Sequence, residues 1–521
     1  MIRTVLSLLL LSVLESQAAQ ILAILPVPLI SHHLYFRPIL RGLVDKGHNV
    51  TVITMTPEDD ANYNQIIIER KGFDELKSHV DFFEMRKYYW FVYANMLSTL
   101  GEFSGHVTLQ HPEVQRMLHT GDYHFDLVLV ETTFVQEAYV VFGHKFGAPV
   151  IELQSMCTSF WSNQLMSNSY PFSYFVDYRT RSDNKMDFIE RLKNTILGIS
   201  SIIVFRYILL PKQQALVNQY MRYDGWEGRP SLIDQLTNTS LAIVNTHVAL
   251  HYPQPNNPNI IYAPGVQIRA PKELPQGFKS FFDNAKEGVV YFSLGTNLNS
   301  SMMPEPVQQI FISAFAKLPY NVLWKWETEK LPNQSKNVKL TKWCPQTDVL
   351  AHSKLKAFIT QGGVHSITEA VSRAVPLVVI PLFLDQFKNS KHVETSGFGI
   401  VLNFDNITVD SVLWAMNEII KPSYKEAAKR QSAILHDNPL PPLDNAIFWI
   451  EYVMRHKGAE HLRTGAAELS WYQYFLIDVI VFVTTIILSV LALLLFLFKE
   501  ILKCLCGRKT RQNIKASKKK K

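Results

Sequence analysis

Apolar residues along the chain fall into short runs separated by longer amphipathic stretches. "QILAILPVP" (20–28) and "HNVTVIT" (48–54) read as buried strands, with a helical pattern over 34–46 between them that stops at Gly47. A strand, a helix and a second strand in that order predict a parallel pair. "FDLVLVE" (125–131), "APVIEL" (148–153) and "LAIVNT" (241–246) repeat the apolar theme. The second half repeats it again in "GVVYFSLGT" (288–296), "NVLWKW" (321–326), "KAFIT" (356–360) and "PLVVIP" (376–381), with helical patterns over 305–318, 366–373 and 385–396. This alternation predicts two successive α/β units, each a doubly wound parallel sheet. "YAPGVQIRAPKELPQG" (262–277), rich in Pro and Gly, reads as the connection between them.

Two stretches depart from that rhythm. Residues 59–119 and 158–230 carry many aromatics, as in "KYYWFVY" and "SFWSN", and read as insertions on the first unit. Within the second, 196–210 is apolar with a single charge, Arg206. It is expected to be an interfacial or acceptor-pocket helix rather than a span.

Both ends carry a different pattern. Residues 1–18 combine Arg3, an apolar run and a small-x-small ending, as a signal peptide does. Residues 479–498 hold no charge and match the length that crosses a bilayer, behind a belt of Trp471, Tyr472 and Tyr474. From 499 to 521 there are ten Lys or Arg against one acid, so the whole formal charge of +7 resides in this tail and the remainder is net negative. The basic pI is therefore no sign of a nucleic-acid-binding body. The positive-inside rule places the tail in the cytosol and the body in a lumen. Lysines third and fourth from the end form the dilysine arrangement of endoplasmic-reticulum residents. The expectation is a single-pass type I protein of that membrane. Acceptor sequons at Asn238, Asn299, Asn333 and Asn406 are expected to be glycosylated, while Asn49 in "HNVTVIT" is expected to be buried. Four cysteines imply no disulfide framework.

Candidate chemistry gathers at the carboxyl ends of the predicted strands, where open α/β sheets bind ligands. Gly362 and Gly363 end "KAFITQGG" just before a helix. Such a turn exposes unpaired amides and the positive end of a helix dipole, which is a seat for phosphate. Taken alone it is equally a plain tight connection. His365 and Ser366 add donors, and Glu369 lies one turn on, where a carboxylate accepts ribose hydroxyls. Trp343 and Gln346 in "WCPQ" offer a ring and an amide to a nucleobase, although a lone Trp is more often core. Asp385 and Gln386 suit a polyol, with a helix N-cap as the plain alternative for Asp385. Ser293, Gly295 and Thr296 in "SLGT" sit at another strand end. Base, ribose, diphosphate and a hydroxyl-rich group together spell a nucleotide sugar.

The run from Phe358 to Gln386, F-I-T-Q-G-G-x(2)-S-x(2)-E-x(6)-P-L-V-x(2)-P-L-x(2)-D-Q, resembles the signature of the UDP-glycosyltransferases. "SLGTN", "WCPQ", "PLDNAIFWIEYVMRHKGAEHLR" and "WYQYFLIDVIVF" extend the resemblance to the animal membrane-bound branch, and the "TQGG" form looks insect-like. The resemblance implies a GT-B fold, two Rossmann-like domains facing a cleft plus a C-terminal transmembrane helix. Its division would be 1–18 leader, 19–262 acceptor-binding domain, 263–277 linker, 278–440 donor-binding domain, 441–473 helix and pre-membrane segment, 474–498 span and 499–521 tail. It implies Gln361, His365 and Ser366 on the diphosphate, Glu369 on the ribose, Trp343 and Gln346 at the uracil, and Asp385 and Gln386 on the sugar. It also implies a catalytic base at His32 in "SHH", with His33 facing away. The family's orienting Asp is replaced here by Glu131, one carbon longer; Glu137 and Asp126 are poorer candidates by position.

The activity implied is inverting transfer of a hexose, glucose from UDP-glucose, to a hydroxyl of small lipophilic acceptors such as phenols, steroids and xenobiotics. The UDP-sugar is a co-substrate; no metal and no other cofactor are expected. Glucuronate as the sugar, and a non-catalytic membrane-tethered relative, remain the alternatives. Homo-oligomerisation is left open.

Overall fold

In the computed structural model, residues 18–518 are described; the expected leader and the last lysines fall outside them or at their edge. The chain forms two units, one ending at Arg463 and one beginning at Thr464.

The first unit holds two parallel sheets. The seven-stranded sheet contains β1 (Gln20–Leu25), β2 (Asn49–Thr54), β3 (Asn64–Ile67), β4 (Leu127–Val130), β5 (Val150–Gln154), β6 (Leu241–Val244) and β7 (Ile260–Tyr262), in the order 3-2-1-4-5-6-7. The six-stranded sheet contains β8 (Val289–Ser293), β9 (Asn321–Lys325), β10 (Val338–Thr341), β11 (Leu355–Thr360), β12 (Leu377–Val379) and β13 (Gly399–Val401), in the order 10-9-8-11-12-13. Strands covered on both faces need apolar residues at every position, which is why they appear in the sequence as unbroken runs. In β1, Leu22 and Ile24 face one helical layer, while Ile21, Ala23 and Leu25 face the other. The order reverses between β1 and β4 and again between β8 and β11. At such a reversal neighbouring crossovers diverge and leave a crevice at the strands' carboxyl ends.

Four placements differ from the sequence reading. The helix expected from residue 34 spans Ile30–Asp45, so His32 and His33 lie in its first turn rather than in a loop. Residues of the first insertion reach across to the second sheet. Phe83, Met85 and Tyr93 join its core, and Arg86 pairs with Asp405 at 2.6 Å while lying over the Phe404 ring. The helix Pro442–Arg455, sequentially behind the second sheet, packs on the first: Ala446, Ile447, Ile450 and Val453 bury against Tyr35, Phe36, Ile39 and Leu43. Their spacing places all four on one helix face. Asn49 is exposed, contrary to expectation, because the first residue of β2 turns its side chain outward; Asn238, Asn299, Asn333 and Asn406 are exposed too.

The apolar segment of the second insertion is helical from Phe188 to Tyr220 and passes through a π-turn at Phe205–Leu209. Ile196, Ile199 and Ile203 are exposed along it. In the second unit the helix Ile477–Lys518 runs unbroken from the apolar stretch into the basic tail, since Lys, Arg and Gln are good helix formers. Its portion Ile477–Leu505, whose most apolar stretch of 18 residues has a mean hydropathy of 3.0, is long and apolar enough to cross a membrane.

Candidate active site

The first sheet brings three chain segments together at its reversal. His32 Nδ1 lies 2.5 Å from Glu131 Oε1, and Glu131 directly follows β4. Ser155, directly after β5, places its Oγ 2.6 Å from the same nitrogen and 3.3 Å from Glu131 Oε1. A carboxylate accepts only, so Nδ1 carries the proton and the serine hydroxyl donates to the carboxylate. In the neutral ring, Nε2 then carries the lone pair. All three side chains are buried except where the imidazole meets the cleft. The Phe134 ring lies 5.1 Å from the imidazole.

The neighbouring candidates are engaged elsewhere. His33 turns the other way, with Nε2 3.1 Å from Val27 O, and burial pushes its pKa down to about 3. Glu137 accepts from Trp161 Nε1 at 3.2 Å, and burial pushes its carboxyl up to about 7. Asp126 sits at the far end of β4, accepting from Gln20 N.

The second sheet presents the turn Gln361-Gly362-Gly363 into the helix Val364–Ser372. Gly362 has φ +90°, and a Cβ there would lie 2.6 Å from Val379 Cγ1. Gly295, at φ +82°, lies under the Gln361 amide, which an added Cβ would meet at 2.3 Å. Both positions therefore require glycine. Asn389 Nδ2 holds the turn through Gly362 O (3.0 Å) and donates to Asp385 Oδ2 (2.7 Å). Asp385 precedes the helix Gln386–Thr395 but makes no side-chain cap; burial pushes its carboxyl up to about 6. Gln386 Oε1 accepts from the amides of Leu382 and Phe383, which leaves its NH2 group for another acceptor.

Tyr291 donates to Gln346 Oε1 at 3.3 Å, and Gln346 Nε2 lies 3.4 Å from Ser366 Oγ. Thr347 donates to Glu369 Oε2 at 3.1 Å, and burial pushes the Glu369 carboxyl up to about 7. The Trp343 ring is 58 % exposed, an open platform rather than core.

His365 meets the first lobe. Asn245, at the end of β6, accepts from Gly265 N through Oδ1, which fixes the orientation of its amide. Its Nδ2 then donates to Ser155 O (2.9 Å) and faces His365 Nδ1 at 3.5 Å. With Nδ1 as acceptor the ring proton is on Nε2, which is buried and has no partner. Burial first, and His32 second, push the His365 pKa down to about 3, so the ring is a neutral donor. The His32 and His365 rings are 6.0 Å apart.

These groups line one cleft of about 530 Å³, within the size range of small-molecule sites. Of the residues singled out by sequence, His32, Ser293, Gly295, Thr296, Trp343 and Gln346 line it, as do Gln361, Gly363, His365, Ser366, Glu369, Asp385 and Gln386. Glu131 and Gly362 lie directly behind, supporting His32 and the turn. Sequence reading missed Ser155, Asn245, Thr347 and Lys325. Asn245 is the polar residue that ends the apolar run of β6, and that signal was available; Ser155 lies one residue beyond Gln154, which ends β5. The cations on the lining are all paired: Arg37 and Arg41 with Glu58, Arg269 with Asp348, Lys325 with Glu327.

Residues 21–516 match the family model described as UDP-glucoronosyl and UDP-glucosyl transferase. The chain is 35% identical over 497 residues to the UDP-glycosyltransferase UGT5 of Dactylopius coccus, covering 94% of this chain and 93% of that one. It is 33% identical over 495 residues to the human UDP-glucuronosyltransferase 2A2, covering 89% and 90%. Among solved structures it resembles Os79 from O. sativa in complex with U2F and trichothecene, with a TM-score of 0.55 at 15% identity over 83% of this chain and 99% of that one. Two Rossmann-like lobes closing on a cleft, a glycine turn feeding a helix N-terminus, and a match along nearly the full length converge: the fold is GT-B, and the chain belongs to the UDP-glycosyltransferase family.

Proposed function

We propose that the chain transfers glucose from UDP-glucose to a hydroxyl of small lipophilic acceptors, in one in-line displacement that inverts the anomeric carbon. The observation that carries this is the His32–Glu131 pair at 2.5 Å, whose open imidazole edge faces the cleft beside Asp385. His32 Nε2 takes the acceptor's proton as the acceptor oxygen bonds to the sugar's C1. The bond from C1 to the diphosphate oxygen breaks, and its electron pair leaves with UDP. Glu131 stabilises the imidazolium formed. The leaving charge meets the amides at the start of the helix Val364–Ser372, the Ser366 hydroxyl and the His365 Nε2 proton. Gln361 would donate to the same diphosphate. Glu369 would hold the ribose, Trp343 and Gln346 the uracil, and Asp385 with Gln386 the sugar hydroxyls. Ser293, Gly295 and Thr296 would shape the floor. No step calls on a metal.

Glucose is favoured over glucuronate by charge. A glucuronate carboxylate wants an unpaired cation, and those on the lining are each neutralised by a carboxylate. Lys388, three residues from Asp385, points away, its Nζ 3.9 Å from Cys157 Sγ and over the Phe175 ring. The apolar helix Ile477–Leu505 and the basic tail support a type I anchor in the endoplasmic-reticulum membrane, with the body and its exposed sequons in the lumen.

Membranes expressing the chain, given UDP-glucose or UDP-glucuronate and a phenol panel, test this against His32→Ala. Glucosides that vanish in the variant support the reading. Glucuronides would replace the donor and keep the mechanism, and UDP binding without transfer to any acceptor would sink the catalytic role.

A further inference from the structure

Behind the cleft, on the side of the first lobe, lies a second, smaller cavity. The two share Phe134, Met156 and Leu384 as a common wall. Phe134 and Leu384, one from each lobe, hold left-handed φ of +69° and +51°. That conformation costs a non-glycine residue energy, so both side chains are held in the wall by their surroundings. Phe134 is also the ring beside His32, so the inner cavity starts where the proposed base ends.

The far side of this cavity is flat and aromatic, with Trp161, Tyr178 and Phe205 on its lining. Its floor is polar. β5 alternates, so Glu152 and Gln154 share one face while Leu153 enters the core on the other. The Thr132 hydroxyl donates to Glu152, and the Gln154 amide lies close to the same carboxyl. A carboxylate accepts, so Gln154 gives it the NH2 end and turns Oε1 away. Gln154 is 3 % exposed, and its Oε1 has no partner. A buried acceptor left without a donor costs stability, which an occupant bearing a donor restores.

We propose that this inner cavity is a distal acceptor subsite that selects planar aromatic acceptors bearing a second hydroxyl, with Gln154 Oε1 receiving that hydroxyl's proton while the reacting hydroxyl lies at His32 Nε2. The inference rests on the proposed transfer to lipophilic hydroxyls and adds to it a chemical class. Gln154 acts here as a specificity residue and takes no part in the displacement. Because the aromatic skeleton passes the Phe134–Met156–Leu384 wall, the two hydroxyls must stand at opposite ends of the acceptor.

The test compares dihydroxybiphenyl, with one hydroxyl on each ring, with the analogue in which one hydroxyl is replaced by fluorine, so that one donor is lost and the size is nearly kept. The wild-type chain and Gln154→Met are measured with saturating UDP-glucose. Per reacting hydroxyl, kcat/KM of the wild type should favour the diol about tenfold, the worth of one neutral hydrogen bond to a buried acceptor. In Gln154→Met the ratio should fall to about one. Equal ratios in the wild type, or a preference that survives in Gln154→Met, would overturn the subsite and leave the transferase reading intact. If neither compound is glucosylated, the acceptor reading itself fails. Binding of the two compounds to the UDP-bound chain, followed by quenching of tryptophan fluorescence, then decides the subsite. Equal affinity of the wild type for both compounds overturns it, and tighter diol binding that Gln154→Met abolishes supports it. UDP affinity and thermal midpoint of Gln154→Met serve as folding controls.

Discussion

His32 Nδ1 and Glu131 Oε1 stand 2.5 Å apart although they come from different crossovers, one in the first turn of a helix after β1 and the other at the end of β4. The sheet order places those two ends side by side at the reversal, so the pairing is a property of topology. In the proposed mechanism Glu131 orients the ring and supplies a countercharge to the imidazolium. A glutamine there keeps an oxygen for the Nδ1 proton and removes the charge. Glu131→Gln is therefore expected to lower kcat/KM by about 10²–10³ and His32→Ala by about 10³ or more. UDP affinity, read by titration calorimetry, should change less than twofold in both. Full activity in Glu131→Gln would remove the pair from the mechanism.

Glu369, on the lining of the cleft, makes the stability of the fold depend on pH. Burial raises its folded-state pKa to about 7 from an ordinary 4.5. Between these values the folded chain holds a proton that the unfolded chain has released, so stability falls as pH rises from about 4.5 to about 7. In Glu369→Gln this decline is absent. Relative to wild type, the variant should gain up to about 3 kcal/mol across that window and nothing further above it. Thermal midpoints of the two chains from pH 4 to 8 measure the difference. The opposing effect of His33 and His365, which weaken the fold as pH drops below 6.5, is common to both chains and cancels.

Much of this site was legible because its residues end apolar runs or follow glycines. Both α/β units and the donor turn follow from such local signals, whereas His32 and the roles of the site residues came from the family resemblance, which local signals cannot assign. What stayed hidden depends on distance in sequence. Ser155 reaches His32 across 123 residues and Asn245 reaches His365 across 120. Nothing in either stretch announces its partner. The helix Pro442–Arg455 shows an apolar face, but a face alone does not say which lobe it covers. The start of the helix at Ile30 was missed because Ser31, His32 and His33 break the apolar pattern there while remaining compatible with a first turn.

Asn245 sets the tautomer of His365 from the opposite lobe. Its amide is fixed by Gly265 N, so only its NH2 end faces the imidazole. Asn245→Asp replaces that donor by an acceptor. The His365 proton should then move to Nδ1, and Nε2 would turn a lone pair toward the diphosphate. UDP affinity is expected to fall about tenfold, the worth of a hydrogen bond to a charged group. Asn245→Ala, which imposes no tautomer, should lose less. An Asp variant that binds UDP as tightly as wild type would show that His365 does not face the diphosphate as a donor.

Gly101 supports the wall beside His32. A Cβ at this position would lie 1.9 Å from Val135 O, a backbone atom that cannot rotate aside. Phe134 and Val135 both hold left-handed φ, at +69° and +61°. Gly101→Ala must shift this segment or the helix Trp90–Gln110. It should cost about 1–3 kcal/mol of stability and raise the acceptor KM, with the KM for UDP-glucose unchanged. Thermal unfolding and two-substrate kinetics separate these effects, and equal rises in both KM values would point to global damage.

Ile450 ties the end of the second lobe's chain to the first lobe. It is fully buried among residues of the helix Ile30–Asp45, the helix that carries His32. The segment before it lies on the other lobe, with Ala427, Ala428 and Leu435 in the second sheet's core. The chain thus crosses the cleft twice, once through the linker and once here, and the second crossing is held mainly by apolar contact along Ala446, Ile447, Ile450 and Val453, with Asn445 donating to Tyr262 O and Glu451 facing His48. Ile450→Ala should cost about 2–5 kcal/mol, whereas Phe448→Ala on the half-exposed face of the same helix should cost well under half as much. If the helix also fixes the spacing of the lobes, Ile450→Ala lowers kcat more than Phe448→Ala does at temperatures where both remain folded. Limited proteolysis provides the second readout: cleavage between residues 436 and 442 should accelerate in Ile450→Ala and be suppressed by UDP-glucose, which in the proposed mechanism touches both lobes. Unchanged cleavage and unchanged kcat would reduce the helix to a passive cover.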